Sequence, residues 1–480
     1  MNTILILCDT LRRDHLGCYG NPWIKTPDLD RLAAMGTVFD NHYCASFPTL
    51  PCRRDILTGK IEFPWRGWGG LEPNDATLSA LFTQAGRISY FITDIYHHWG
   101  RDAGNYWADF SGFELIRGEE RDNYVTDADI EIREPAPGLN QPKNIGPHLR
   151  NVAKIRHNEE DWFAPQVFTR AGQWLQHNYR HNDFFLMVDG FDPHEPWDPP
   201  RYYTDLYDDP AYDGPEYINC QYRAIEGYLS PREFKHVQAL YAGQVTMVDR
   251  WVGHVLDQAE ILGLLKNTVI LFSTDHGAYN GDHGQVGKLQ THMYQGISHI
   301  PLIVYHPEFG HGERRSHLTQ PVDFYPTICE SAGLPAPGAL HGKSLLPILR
   351  DAGAPAIRDA AIFGRHVYTC NVTDGRHALY QSADPSLPPI YSYSHIVPKW
   401  NSGDWGPYEN GRRLVGPGDS KKGLRGAPAL FDLVGDPAEA TDLAGREPAE
   451  VERMRRLLAR QLREIHAPEE YLVRHGLHLF

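Results

Sequence analysis

Four short segments concentrate the residue types that metal-assisted ester chemistry uses. Asp9-Thr10 is followed by Arg12, Arg13, Asp14 and His15. Phe47-Pro48-Thr49-Leu50-Pro51-Cys52-Arg53 runs on to Thr58-Gly59. Asp192-Pro193-His194-Glu195-Pro196 forms the third segment, and Asp275-His276, Asp282-His283 and Lys288 the fourth. Carboxylates and imidazoles ligate divalent cations, and Arg and Lys neutralise anions. Each segment also has a plainer reading. Asp9 after a strand caps a helix, Asp275-His276-Gly277 makes a turn, Thr49 serves as a helix N-cap, and His194 between prolines fixes a loop. Asp282 and His283 read as loop-fixing groups and Cys52 as packing. If Thr49 opens a helix, Arg53 lies one turn further on the same face, and the helix N-terminus offers a positive field to an anion.

The elements around these segments alternate. Thr3–Cys8, Ile88–Thr93, Phe184–Asp189, Thr268–Thr274 and Ile300–Tyr305 are short apolar runs expected to be buried strands. Several end in Asp: Asp9, Asp189 and Asp275. Asp28–Gly36, Thr77–Ala85, Gln166–Tyr179, Pro231–Ala259 and Asp323–Ala332 carry helical patterns. The alternation implies an α/β fold with a doubly wound sheet and polar groups converging on one sheet edge. Residues 100–158, rich in Asp, Glu, Arg, Gly and Pro, read as an irregular excursion that shapes a substrate pocket. The texture changes near residue 355. Ala360–Tyr368 and Arg376–Gln381 read as strands and Glu447–Ile465 as a charged amphipathic helix. The expected division is a catalytic domain over 1–355 and a smaller α+β domain over 356–480.

The motifs resemble those of the sulfatase family of the alkaline phosphatase superfamily. That family carries Cys-x-Pro-x-Arg followed by Leu-Thr-Gly, and Thr49-Leu50-Pro51-Cys52-Arg53 with Leu57-Thr58-Gly59 keeps every offset. Arg13-Asp14-His15-Leu16-Gly17-Cys18-Tyr19-Gly20 and Thr26-Pro27-Asp28-Leu29 are similar to its N-terminal signature. Ser298-His299-Ile300-Pro301, Leu340-His341-Gly342-Lys343 and Leu430-Phe431-Asp432-Leu433 are similar to its later ones. The resemblance spans nearly the whole chain and implies an alkaline-phosphatase-like core with a smaller C-terminal α+β domain.

Two departures change the implied chemistry. The family oxidises a Cys or Ser to formylglycine, and Thr49, a secondary alcohol, cannot become that aldehyde. No formylglycine is expected, so an adduct on Thr49 must be cleared by water attacking the sulfur or phosphorus centre. The family's Asp-Asp and Asp-Asn calcium pairs are Asp9-Thr10 and Asp275-His276 here. Asp9, Thr49, Asp275 and His276 resemble the single-metal set of the phosphonate monoester hydrolase and phosphodiesterase branch. Two carboxylates, an imidazole and an alkoxide suit one divalent ion, Mn2+ favoured over Zn2+ or Ca2+. The resemblance implies Thr49 as nucleophile, Arg53 and Lys288 as groups on the anion, and His194 as the group at the leaving oxygen. Asp94 and His97 fall near a family Lys-x-His segment that they match poorly. The implied activity is hydrolysis of phosphodiester or phosphonate monoester bonds, with sulfuric ester hydrolysis the runner-up. A transferase would use the same residues, and a non-catalytic binding protein on the same fold is the reading from another class.

The remaining composition narrows partners. The 480 residues carry a net charge of -15, which argues against general binding to nucleic acid or anionic membrane but not against a small anionic ester in one positive pocket. Seven scattered cysteines without a CxxC pair fit reduced thiols in a cytoplasm. No stretch reaches the ~18 apolar residues of a spanning helix, and no basic-apolar leader is visible. A homo-oligomer is left open.

Overall fold

The computed structural model describes residues 1–100, 104–141, 145–288, 292–384, 387, 390–395, 405–409, 412–415 and 427–480. The central strands are β1 (Asn2–Cys8), β2 (Thr37–His42), β3 (Ser89–Thr93), β4 (Gly112–Leu115), β5 (Phe185–Gly190), β6 (Thr268–Ser273), β7 (Leu302–Tyr305) and β8 (Glu313–Thr319). They form one eight-stranded sheet in the order β8-β2-β7-β6-β1-β5-β3-β4. The pairs β6-β1, β1-β5, β5-β3 and β3-β4 are parallel, whereas β7 runs antiparallel to both of its neighbours.

Strand β1 shows why the sheet must be covered on both faces. All seven of its residues are buried. Ile4, Ile6 and Cys8 enter one core with α3 (Phe163–Asn178) and α4 (Pro231–Ile261). Leu5 and Leu7 enter a second core with α2 (Thr49–Thr58) and α5 (Phe324–Ala332). Side chains alternate across a strand, so the apolar run Ile4–Cys8 within it requires helices on both sides. This is the doubly wound α/β arrangement expected from the sequence.

The C-terminal part builds a four-stranded antiparallel sheet from β9 (Ala361–Arg365), β10 (Thr369–Thr373), β11 (His377–Ser382) and β12 (Ala429–Asp432). Helix α6 (Pro448–Glu464) packs Val451, Met454, Leu458 and Leu462 onto it. This sheet reaches the segment before Thr49. Gly364 N–H donates to the Ala45 carbonyl at 2.9 Å, and Phe47 N–H donates to the Gly364 carbonyl at 3.0 Å.

Several expectations need correction. Strands β2, β4, β8, β10 and β12 were not assigned from the sequence; TVFDNH in β2 and ERRSHLT in β8 carry too many polar residues to read as buried strands. Ala360–Tyr368 is not one strand, because β9 ends at Arg365 and turns back into β10. The 100–158 excursion is only partly irregular: it contributes the edge strand β4 and the helix Ile145–Ile155. Its stretches 101–103 and 142–144 lie outside the described residues.

Burial in this fold has a consequence for pH. His366, whose Nδ1 bonds the Phe63 carbonyl at 2.9 Å, and His475, whose Nδ1 bonds the Tyr471 carbonyl at 2.9 Å, are both pushed down to about 4 by burial. The unfolded chain protonates these imidazoles below about 6.5, whereas the folded chain resists protonation until about pH 4. The unfolded state therefore binds more protons between those values, and stability falls as pH falls through that window. Denaturant midpoints should drop between pH 7 and pH 4.5, less steeply in the double variant His366→Gln, His475→Gln. Identical slopes in the two proteins would contradict this.

Candidate functional site

The parallel register aligns the polar strand ends. Leu7 in β1 lies level with Asp189 in β5 and Ser273 in β6, and Asp189 in turn with Thr93 in β3. Asp9, Asp189 and Asp275 therefore leave the sheet at one edge, all fully buried. Two residues beyond β1, Thr10 adopts a left-handed backbone at φ 63°, unusual for a β-branched residue. It is held there by two bonds: its hydroxyl donates to Asp9 Oδ1 at 2.6 Å, and its N–H to Asp275 Oδ1 at 3.1 Å. Thr10 thus ties the two strand-end carboxylates together.

Asp9, Asp275 and His276 place ligand atoms within 4.8 Å of one another. His276 is oriented from both sides. Its Nδ1 bonds the Gly277 carbonyl at 2.8 Å, and the Phe47 ring packs at 4.6 Å between centroids. Burial holds its pKa below the ordinary value despite the adjacent Asp275, so the imidazole is neutral, as a metal ligand must be. His276 Nε2 and Asp9 Oδ2 are buried without a hydrogen-bond partner. Buried unpaired atoms of this kind on one carboxylate and one imidazole, beside the Asp275 carboxylate, fit a divalent cation.

Thr49 is the first residue of α2 and is buried. Arg53 follows one turn later, as the four-residue spacing implied, and its guanidinium is completely buried. It grips Asp189 with two bonds, Nε to Oδ2 at 3.1 Å and Nη2 to Oδ1 at 2.8 Å. Its Nη1 lies 3.1 Å from Asp9 Oδ2, donates to Asp275 Oδ2 and reaches the Thr49 carbonyl at 3.4 Å. Burial disfavours the charge on this group; Asp189, Asp275 and Asp9 outweigh it and raise its pKa well above the ordinary value. On Asp9, burial is likewise outweighed, by Arg53 and then Lys288, and its pKa is lowered. Lys288 Nζ stands 3.9 Å from Asp9 Oδ1.

Lys288 directly follows the strand Gln285–Gly287, which pairs with Tyr279–Asn280 and Arg223–Ala224. Gly287 sits at φ 84°, and a Cβ there would collide with the Tyr222 ring, so this backbone approach needs glycine. His194 is buried in the loop after β5, stacked on Phe191 at 4.0 Å between centroids. Its Nδ1 bonds the Glu195 carbonyl at 2.5 Å. Burial and then Lys288 keep its pKa well below the ordinary imidazole value.

The other singled-out residues serve structure. Asp94 is buried, accepts the Phe191 N–H at 2.7 Å and so shapes the turn before His194. Asp282 bonds Arg12 Nη2 at 3.0 Å and the Asn280 N–H at 2.9 Å, and His283 stacks on Tyr294 at 3.7 Å, which makes both loop-fixing groups. Cys52 lies in the core with its thiol pKa raised by burial. Three contributors escaped sequence reasoning as site residues. Asp189 showed only as an acid ending a strand. His98, whose Nε2 bonds Asp189 Oδ2 at 3.0 Å, gave no signal beyond its residue type. A third is Asp55 on α2, which accepts the Ser46 N–H at 2.7 Å, the Ser46 hydroxyl at 2.8 Å and the Glu62 N–H at 2.9 Å, fixing the segment before Thr49.

A sulfatase family model matches residues 1–334. The chain belongs to the sulfatase family. An arylsulfatase of Clostridium perfringens is 25% identical over 96% of this chain and 94% of that protein. Human arylsulfatase K is 24% identical over 93% of this chain and 79% of its own length. Among solved structures, the phosphonate monoester hydrolase of Agrobacterium radiobacter superposes with a TM-score of 0.71 at 19% identity, covering 97% of this chain and 96% of that one. The likeness to this last structure establishes the shared alkaline-phosphatase-like fold. Sulfatases generally bind a divalent metal, and Asp9, Asp275 and His276 form a buried candidate donor group here. Among the described residues, no helix is long and apolar enough to cross a membrane.

If these three residues hold the cation, Asp9→Asn, Asp275→Asn and His276→Ala should each weaken Mn2+ binding by more than about 100-fold in calorimetry. Asp282→Asn should leave the affinity within about threefold, because it meets Arg12 rather than the donor group. Unchanged affinity in all three ligand variants would remove the site.

Proposed function

We propose that this sulfatase-family hydrolase cleaves phosphodiester or phosphonate monoester bonds with Thr49 as its nucleophile. The observation that carries the reading is the placement of Arg53. One guanidinium bonds the backbone of Thr49, at the start of α2, and the Asp275 carboxylate, and pairs electrostatically with Asp9 Oδ2 at 3.1 Å. The residue type at position 49 then decides the chemistry. A threonine hydroxyl can attack phosphorus and form a phosphothreonine, but it cannot be oxidised to an aldehyde that sheds sulfate by elimination.

A divalent cation held by Asp9, Thr49, Asp275 and His276 would lower the pKa of the Thr49 hydroxyl and neutralise an ester oxygen. Mn2+ suits this mixed oxygen and nitrogen set best, with Zn2+ or Ca2+ next. Arg53 holds the helix start against the strand ends, and Lys288 neutralises charge that gathers on the non-bridging oxygens. The N-terminus of α2 adds backbone N–H groups aimed at the same anion. His194 is held neutral with Nδ1–H donated to the Glu195 carbonyl, so Nε2 is an acceptor that takes the Thr49 hydroxyl proton and returns it to the leaving-group oxygen. Water then attacks the phosphothreonine and releases Thr49. The substrate class is a small anionic ester. Sulfuric ester hydrolysis is the second reading, favoured by the names of the arylsulfatase relatives.

The test is turnover of 4-nitrophenyl esters of phosphate, methyl phosphate, phenylphosphonate and sulfate by the Mn2+-loaded protein. The diester and the phosphonate should be the preferred substrates, and Thr49→Ala should lose about 10^3-fold or more in kcat. Dominant aryl sulfate turnover would overturn the phosphorus preference. Turnover that survives Thr49→Ala would overturn the nucleophile.

A further inference from the structure

Two acidic side chains act on His194 and have no role in the mechanism above. Glu195 is only 4% exposed. Its Oε1 takes the Tyr222 hydroxyl, while its Oε2 has no hydrogen-bond partner. That oxygen lies 3.4 Å from His194 Nδ1, whose bond goes instead to the Glu195 carbonyl. Lys288 is the cation that acts most on Glu195, Arg121 also acts on it, and Glu120 and Asp9 oppose them. Burial, the largest influence, raises this carboxyl to about 7. A buried acceptor without a donor of its own is costly, and a ligand that supplies one removes the cost.

Glu120 is the second. It is buried and takes a left-handed backbone at φ 44°. Its carboxylate meets His97 Nε2 at 3.3 Å and Arg121 Nε at 3.0 Å, and His97 above all holds it ionised against burial. Glu120 also acts on His194. Trp68 stands edge-on to His97 at 4.9 Å between centroids and is partly exposed, so an apolar ring borders the imidazole that pairs with Glu120. Arg121 is half exposed and already bonded to Glu120, which leaves it screened by solvent. The site is thus divided. Arg53 and Lys288 serve the anionic centre, and Glu195 and Glu120 border the residue that meets the leaving group.

We propose that Glu195 and Glu120 select the leaving group: one that donates hydrogen bonds through hydroxyl or ammonium groups is accepted, and one that carries its own carboxylate, phosphate or sulfate is refused. This deepens the reading above and rests on His194 standing at the leaving oxygen. The substrate is then an anionic ester of a polyol or amino-alcohol type of molecule rather than of a polyanion.

The test reads binding separately from turnover. In the full-length Mn2+-loaded Thr49→Ala protein, calorimetry gives Kd for phenyl phosphate, 3-(aminomethyl)phenyl phosphate and 3-carboxyphenyl phosphate. The aminomethyl probe should bind at least about tenfold more tightly than the carboxyl probe, because like charges facing one another oppose binding. Adding Glu195→Gln or Glu120→Gln should each shrink that ratio by about threefold or more, with phenyl phosphate as the reference for general damage. Equal affinities for the two charged probes, or a ratio untouched by both substitutions, would overturn the proposal. Failure of the hydrolase reading shows elsewhere, as an absence of turnover of any probe by the wild-type protein, and leaves the affinity ratio readable.

Discussion

The arrangement depends on one buried cation. Arg53 is fully enclosed and meets three carboxylates, Asp9, Asp189 and Asp275, none of which reaches solvent. Burying a guanidinium is tolerated only when paired charges and hydrogen bonds replace its water, and here the bidentate grip of Asp189 does so on one side. The count remains unbalanced, three acids against one guanidinium, with Lys288 beside Asp9 as a further positive group. An excess of buried negative charge next to a neutral imidazole is the electrostatic condition that a divalent cation meets. The same guanidinium that secures the helix start therefore helps to define a cation-binding corner.

The surrounding elements hold that corner still. Parallel register sets the strand ends level, so the acids converge without a long loop to position them. The segment before Thr49 is fixed three ways: Asp55 bonds Ser46, Phe47 packs on His276, and strand β9 of the C-terminal sheet bonds Ala45 and Phe47. The C-terminal sheet is thus a brace for the nucleophile segment as well as a separate layer. Catalytic geometry of this kind tolerates little displacement, and side chains placed at strand ends and on a braced helix satisfy that demand.

Much of this was legible in the sequence, and the physical reasons differ by element. Strands β1, β5, β6 and β7 each contain an unbroken apolar run of four or more residues, a pattern that a doubly covered sheet explains. Polar strands such as β2 and β8 were missed because their burial comes from neighbours far along the chain. The same holds within the site. Thr49 and Arg53 could be paired from their helical spacing, and Asp9 with Asp275 from strand ends. Asp189 could be seen as a strand-end acid but not as the grip on Arg53, since that contact joins residues 136 apart. His98 and Asp55 are ordinary residue types whose meaning arises only from three-dimensional packing. Glu195 was visible inside its proline-bounded motif, yet nothing in sequence distinguishes a buried orphan acceptor from a solvated one.

The most direct measurement concerns the bond that position 49 forms. Rapid acid quench of Mn2+-loaded protein turning over 4-nitrophenyl phenylphosphonate, followed by peptide mass mapping, would locate any covalent adduct. The account predicts a phenylphosphonyl group on Thr49 in the peptide that spans Pro48 to Arg53, absent from Thr49→Ala. An unmodified Thr49 during active turnover, or an adduct on another residue, would contradict it.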